Sequence, residues 1–166
     1  DLDGGPVVGG YLAAALLASS YAAIGLFLSS RTSNQIVALI STALVGGIFY
    51  LVGTRGVTDF VGPTLGGIFR AVGTGSRFES IERGVVDLRD LVYYGSVTAL
   101  FLILNAMSLD TKRWSAGPRT RVYRTAAKIG VLLAALNLVF LNVWLHPLYG
   151  LRADLTEQRE YSLSET

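Results

Sequence analysis

The sequence predicts an all-α membrane protein with four transmembrane helices and a helical hairpin, re-entrant or interfacial, between the second and the third. Two observations support this fold class. The 166 residues are 51% hydrophobic and only 16% charged, whereas soluble domains average about 25% charged residues. The hydrophobic residues are also gathered into four long runs, which polar or glycine-rich segments separate.

Each run is long enough to cross a hydrocarbon core about 30 Å thick at a rise of about 1.5 Å per residue. The runs cover residues 7–28, 35–52, 91–109 and 129–149. Only the segment SSRTSN separates the first run from the second. We therefore expect the first two helices to form a tight antiparallel pair.

The first run carries small residues at four-residue spacing, which places them on one face of a helix. They are Gly10, Ala14, Ala18 and Ala22. Small residues let helix backbones approach closely within lipid, where no hydrophobic effect drives association. The stripe predicts helix packing, either within the chain or as a seam between two copies.

The segment between the second and third runs is too long for a turn and too rich in glycine and charge for a span. Residues 58–86 within it predict an outer helical hairpin. The spacing Ser76-x-x-Glu79 is typical of a capping box at a helix start. Two interpretations remain open: an amphipathic cap at the membrane surface, or a re-entrant gate at the outer mouth of a translocation path.

Charged residues then lead directly into the third run. Glu79 and Arg83 have the i,i+4 spacing of a favourable helical ion pair. Asp87 is expected to cap the third span, and Asp90 to complement its dipole in the first turn. The candidate residues of the outer gate or hairpin are Phe78, Glu79, Glu82, Arg83, Asp87, Arg89 and Asp90.

Lysine and arginine counts give a predicted orientation. Residues 111–128 hold six basic residues in a short loop, with Gly117-Pro118 marking a turn or linker. The positive-inside rule places this basic linker in the cytoplasm. Both ends of the chain and the hairpin are then extracytoplasmic.

Several function classes find no support in the sequence. There is no cysteine and only one histidine, which argues against metal clusters built from these residues. No phosphate-binding loop or nucleophile elbow occurs. The net charge of +2 is too small to suggest nucleic-acid binding. We therefore expect no enzyme, no cofactor, no metal site and no catalytic residue on this chain.

Three stretches resemble one transport family. The first two runs resemble the fourth and fifth spans of type-2 ABC exporter permeases. The segment from Phe78-Glu79-Ser80 to Tyr93-Tyr94 is similar to the start of the last span in gliding-motility (GldF-like) permeases. The tail, with Asp154-Leu155-Thr156 and Tyr161-Ser162-Leu163-Ser164, resembles the start of their GldG-like auxiliary component.

The resemblance implies a domain organisation. Residues 1–110 would be the C-terminal half of a permease domain, and residues 129–166 a membrane anchor followed by the start of an extracytoplasmic auxiliary domain. Three further spans would precede Asp1, and most of the auxiliary domain would follow Thr166. The location would be a prokaryotic plasma membrane.

The resemblance also implies partners. An ABC ATPase subunit would contact the loop between the first two spans, formed by Arg31, Thr32, Ser33 and Asn34. A second permease copy or half would complete the exporter within the lipid bilayer. The alternative hypothesis is a non-transporting structural subunit of a larger membrane complex.

Overall fold

A computed structural model describes residues 4–113, 118–145 and 152–156 of the chain. The four long helices are α1 (Gly4–Arg31), α2 (Gln35–Gly53), α6 (Leu88–Arg113) and α7 (Pro118–Leu145). Between α2 and α6 lie α3 (Arg55–Thr58), α4 (Pro63–Val72), α5 (Gly75–Glu82) and strand β1 (Val85–Asp87). Strand β2 (Arg152–Asp154) follows α7.

The predicted fold class is confirmed: the four long helices are each long and apolar enough to cross a membrane. The chain is therefore a multi-pass membrane protein. The α1–α2 connection is tight, as predicted. Asn34 caps α2, because its side-chain oxygen accepts hydrogen bonds from the backbone N–H groups of Ile36 and Val37, at 2.9 and 3.4 Å.

The start of α6 also follows the prediction. The Asp87 carboxylate accepts a hydrogen bond from the backbone N–H of Arg89 at 3.0 Å, which satisfies a donor that the helix itself leaves unpaired. Asp90 lies in the first turn of α6, where a negative charge complements the helix dipole. Lys112 and Arg113 end the helix with the opposite charge.

The capping box predicted at Ser76 is wrong. Helix α5 begins two residues earlier, at Gly75, and its N-cap residue is Thr74. The Ser76 hydroxyl instead donates a hydrogen bond to the backbone carbonyl of Arg70, at 3.3 Å. Tertiary contact between the two short helices therefore overrides the local capping pattern.

Helix α1 packs along α6 through a face of small residues. Ala13 and Ser20 are fully buried there. The Ser20 hydroxyl lies 3.3 Å from the Tyr94 carbonyl oxygen and 3.1 Å from the Thr98 hydroxyl, so its polar group is satisfied between the helices. Ala13 belongs with Ile81 and the tyrosines of α6 to the buried core.

The predicted small-residue stripe lies on a different face of α1. Ala14, Ala18 and Ala22 are exposed in the chain, and a Cβ added to Gly10 would meet nothing within 4 Å. The predicted packing of this stripe within the chain is therefore not seen among the described residues. The face that packs is one residue earlier and includes Gly9 and Ala13.

Strands β1 and β2 pair antiparallel, with Val86 opposite Ala153. Gly84, at φ 85°, turns the chain into β1, and its carbonyl accepts a hydrogen bond from the N–H of Leu155 at 2.9 Å. A Cβ at Gly5 would overlap the Leu155 carbonyl. The start of α1, the α2–α6 connection and the segment after α7 thus meet at one end of the bundle.

The basic segment 111–128 differs from the expected linker. Helix α6 continues to Arg113 and α7 already begins at Pro118, so the segment is helical wherever the structure describes it. The expected end of the fourth span, residues 146–149, lies outside the described residues. The same holds for the predicted auxiliary motif at residues 161–164.

Candidate ligand-binding site

The turn between α4 and α5 is buried against the long helices. The backbone N–H of Thr74 donates a hydrogen bond to the Phe49 carbonyl at 2.9 Å, and Thr74 is only 1% exposed. Phe49 lies four residues before the end of α2, so the turn reaches about one helical turn, roughly 6 Å, along that helix. The α4–α5 hairpin, residues 63–82, therefore closes one end of the bundle.

Two tyrosines of α6 hold this turn. The hydroxyl of Tyr94, a fully buried residue, donates to the carbonyl of Thr74 at 2.9 Å. The hydroxyl of Tyr93 donates to the carbonyl of Val72. The Thr74 carbonyl also accepts the backbone N–H of Phe78 at 3.0 Å, and Val72 is the last residue of α4, so the two tyrosines bond to both sides of the turn. The hairpin is thus attached to the second turn of α6.

An ion pair joins the hairpin to α6 beside these tyrosines. The guanidinium of Arg77 in α5 lies 2.7 Å from the Asp90 carboxylate, and the two side chains are 17% and 9% exposed. The same guanidinium sits over the Tyr93 ring, 4.2 Å from its centroid, which is a cation–π arrangement. Its second terminal nitrogen donates to the Ala71 carbonyl at 3.3 Å.

The remaining nitrogen of Arg77 is exceptional. Its Nε is buried and has no hydrogen-bond partner among the residues that the structure describes. Buried donors in folded proteins are almost always paired with protein, water or ligand. An acceptor beside Arg77 would complete the site.

A cavity of about 530 Å³ lies between α6 and α7 directly below Arg77. Its walls are mainly apolar, and Phe49 of α2 and the end of α4 close one side. One polar contact crosses the cleft: the Asn142 amide donates to the Ser96 hydroxyl at 2.9 Å. The cavity is also lined by Val97, Leu100, Ala135, Leu138 and Val139.

Two smaller polar pockets, of about 390 and 300 Å³, adjoin this cavity towards the surface. The first shares Ala71, Arg77 and Asn142 with the cavity. The second shares Arg70 and two serines with the first. An apolar chamber therefore continues into a charged vestibule, which we define as the residues Arg55, Arg70, Ser76, Arg77, Glu79, Ser80, Arg83, Arg89 and Asp90.

The predicted hairpin residues have unequal roles. Asp90 lies in the buried ion pair, and Phe78 packs against the core with its ring 6.1 Å from that of Tyr50. The predicted Glu79–Arg83 pair is confirmed at 3.7 Å, and Arg55 also lies 3.9 Å from Glu79. Both are half-exposed contacts of small energetic weight.

The other predicted residues lie at the margin of the site or far from it. Asp87 pairs with Arg89, whose Nε lies 2.9 Å from the carboxylate, and Glu82 is exposed. The loop of Arg31, Thr32, Ser33 and Asn34 connects α1 to α2 at the opposite end of the bundle. The structure does not bring these four residues near the hairpin.

Sequence reasoning did not single out Arg77, Ser96 or Tyr93 as site residues. Arg77 and Asp90 are thirteen residues apart on different helices, so no helical spacing pairs them. The signal that could have pointed to Arg77 was its position in the sequence. It directly precedes Phe78 and lies four residues before Ile81, and both of these face the core. Asn142 in α7 makes an interhelical hydrogen bond to Ser96 in α6.

Neither a family model, nor a curated protein, nor a solved structure matches the chain. The site is therefore interpreted from its own chemistry. Among the described residues, no group of three or more His, Cys, Asp or Glu side chains is arranged to hold a metal ion.

Proposed function

We propose that the chain is a membrane-spanning permease subunit of an ABC-type exporter in a prokaryotic plasma membrane. The observation that carries the proposal is the α4–α5 hairpin, which closes one end of the bundle immediately before the third span. The supporting sequence motifs, from Phe78-Glu79-Ser80 to Tyr93-Tyr94, fall on this hairpin and on the first turns of α6. ATP hydrolysis would occur on a separate subunit.

Under this proposal the hairpin is the extracytoplasmic gate, either re-entrant or resting at the membrane interface. It is bonded to α6 through Tyr93, Tyr94 and the Arg77–Asp90 pair. A displacement of α6 would therefore carry the gate with it. The segment after α7 would lead to an auxiliary domain on the same side.

The opposite end of the bundle would contact the ATPase. Arg31 and Ser33 in the α1–α2 connection are exposed, and Asn34 keeps its own structural task as the cap of α2. A second permease copy or half would complete the transport path. Exporters of this design alternate between states by moving bundles against each other as ATP is bound and hydrolysed.

Purification of the intact chain from its native membrane tests the proposal. We expect an ATPase subunit to copurify, and its hydrolysis rate to fall when Arg31→Ala and Ser33→Ala are combined. Because Asn34 is retained, α2 keeps its cap. The control is Asn137→Ala, a substitution of an exposed residue on α7 away from both the loop and the hairpin, which should leave the rate unchanged. Absence of any ATPase from the complex would contradict the proposal.

A structural subunit of a larger membrane complex is the second candidate. The observation in its favour is the small-residue stripe, whose members Ala14, Ala18 and Ala22 are exposed and whose Gly10 has space for a Cβ. Such a face permits close approach of another helix. Substitution of Ala18 by Leu should then release a stoichiometric partner in the presence or absence of ATP. A partner released only in certain nucleotide states would favour the exporter.

A further inference from the structure

We propose that the cleft between α6 and α7 holds one anionic phospholipid. One acyl chain would occupy the cavity, and the phosphate would bind in the charged vestibule above it. This site stands whether or not the chain transports anything, because it follows from the cavity and the arginines alone.

The cavity suits a hydrocarbon chain. Val97 and Leu100 of α6 face Leu138 and Val139 of α7 across it, and it is not enclosed. Protein interiors are otherwise close-packed, and an empty apolar space forfeits the dispersion contacts of its walls. In a bilayer, lipid chains surround α7 and are the nearest material that can fill this space.

The upper end of the cavity suits a phosphate. Arg77 lines both the cavity and the first polar pocket, so one molecule can extend from the apolar chamber into the vestibule. Arginine binds phosphate oxygens through two parallel N–H donors. The unpartnered Nε of Arg77 is a donor that a phosphate oxygen would satisfy after a small shift of the guanidinium.

Charge complementarity favours an anionic lipid over a zwitterionic one. The five vestibule arginines pair with four carboxylates, which leaves one positive charge in excess among these groups; the carboxylates are Asp59, Glu79, Asp87 and Asp90. Arg70 pairs with Asp59 at 3.0 Å, but these side chains are 54% and 69% exposed. Such an exposed pair is weak, so Arg70 can turn towards a headgroup at the cost of this pair and of the hydrogen bond that its Nε donates to the Thr58 hydroxyl at 3.2 Å.

Two substitutions separate the acyl chain from the headgroup. Ala135→Phe places a ring in the cavity, and its matched control is Ala106→Phe, at an exposed position on α6. Arg70→Gln removes a vestibule charge, and its matched control is Arg31→Gln, an exposed arginine at the opposite end of the bundle. None of the four removes a partner of the buried Arg77–Asp90 pair.

The experiment measures lipid bound to the intact chain. The chain is purified in mild detergent, exchanged into nanodiscs of defined mixtures of phosphatidylglycerol and phosphatidylcholine, and re-extracted with its retained lipid for quantification by mass spectrometry. We expect about one retained phosphatidylglycerol per chain, a loss of about tenfold in affinity with Ala135→Phe or Arg70→Gln, and no change with either control.

Three outcomes would overturn the inference: equal retention of both lipids, unchanged retention in Ala135→Phe, or equal loss in the two matched controls. Should Ala135→Phe fail to fold, a photoreactive phosphatidylglycerol applied to the unaltered chain gives the answer. Labelling is expected on Val97 and Leu138, inside the cavity, in excess of the exposed Phe140. Labelling confined to the exposed face, or a dimer that blocks labelling, would exclude a lipid in the cleft.

Discussion

Helices α1 and α7 pack against α6 in opposite ways. Towards α1, buried small residues and Ser20 bring the backbones together, and Tyr94 is 0% exposed. Towards α7, a cavity of about 530 Å³ separates the helices and one side-chain hydrogen bond, Asn142 to Ser96, crosses it. The large apolar side chains of α7 are mostly exposed, among them Leu132, Leu133, Leu136, Val139, Phe140, Val143 and Trp144.

The difference shows what holds spans together in lipid. Leucine-rich surfaces gain nothing by meeting each other there, because lipid tails are equally apolar. Close association depends on small residues and on polar groups that find partners across the interface. The α1 side of α6 has both, whereas the α7 residues that line the cleft are mostly large and apolar, with Asn142 as the polar partner of Ser96.

The largest expected effect is at the buried ion pair that joins the α4–α5 hairpin to the first turn of α6. Asp90→Asn leaves the Arg77 charge buried without its counterion, and such a loss costs about 3–5 kcal/mol of the free energy of unfolding. Asp59→Asn is the matched control, because its pair with Arg70 is exposed and is worth less than about 1 kcal/mol. Denaturation of the purified chain in detergent measures both. Equal effects would mean that the buried pair adds no stability.

A smaller effect is expected from a side chain added where α1 packs against the end of α5. A Cβ at Gly9 would overlap the backbone carbonyl of Ile81, whereas one at Gly10 would meet nothing within 4 Å. Gly9→Val should therefore lower the free energy of unfolding by about 1–3 kcal/mol relative to Gly10→Val. The two variants have the same helix propensity, so the difference measures packing alone. If Gly10→Val were the more harmful, the assignment of the packed face would be reversed.

The smallest effect is expected at the contact between α6 and α7. A double-mutant cycle with Asn142→Ala and Ser96→Ala should give a coupling of about 0.6 kcal/mol, the average for hydrogen bonds between spans. Asn137 is exposed on α7, and the cycle of Asn137→Ala with Ser96→Ala should give none. Thermal unfolding of the six chains measures these values. A coupling as large as the Asp90 effect would remove the contrast between the two sides.

The four spans and the caps of α2 and α6 were predictable because hydropathy and capping are local properties. Asn34 was recognised only as part of a short loop, yet its position before an apolar run is a standard N-cap signal. Glu79 and Arg83 were paired correctly, because helical spacing alone brings them together. Local rules failed at Ser76, where a contact with α4 decides the hydrogen bond.

Local rules could not identify which face of α1 is packed. Gly5, Gly9 and Ala13 repeat every four residues just as Gly10, Ala14 and Ala18 do, so spacing cannot tell which series is buried. Ser20 would have favoured the correct face, because a hydroxyl in lipid needs a partner. Strand β1 escaped prediction for a related reason: its partner β2 lies beyond α7, and no local pattern encodes such a pairing.

The ladder between β1 and β2 has a mechanical consequence. Strand β1 runs directly into α6, and β2 is bonded to β1 although the whole of α7 separates them in the chain. Tension applied to the chain beyond Thr156 would pass through β2 into β1, and from there to α5 and α6. The three-residue ladder would therefore transmit force from the residues that follow Thr156 to the hairpin rather than to the nearest span.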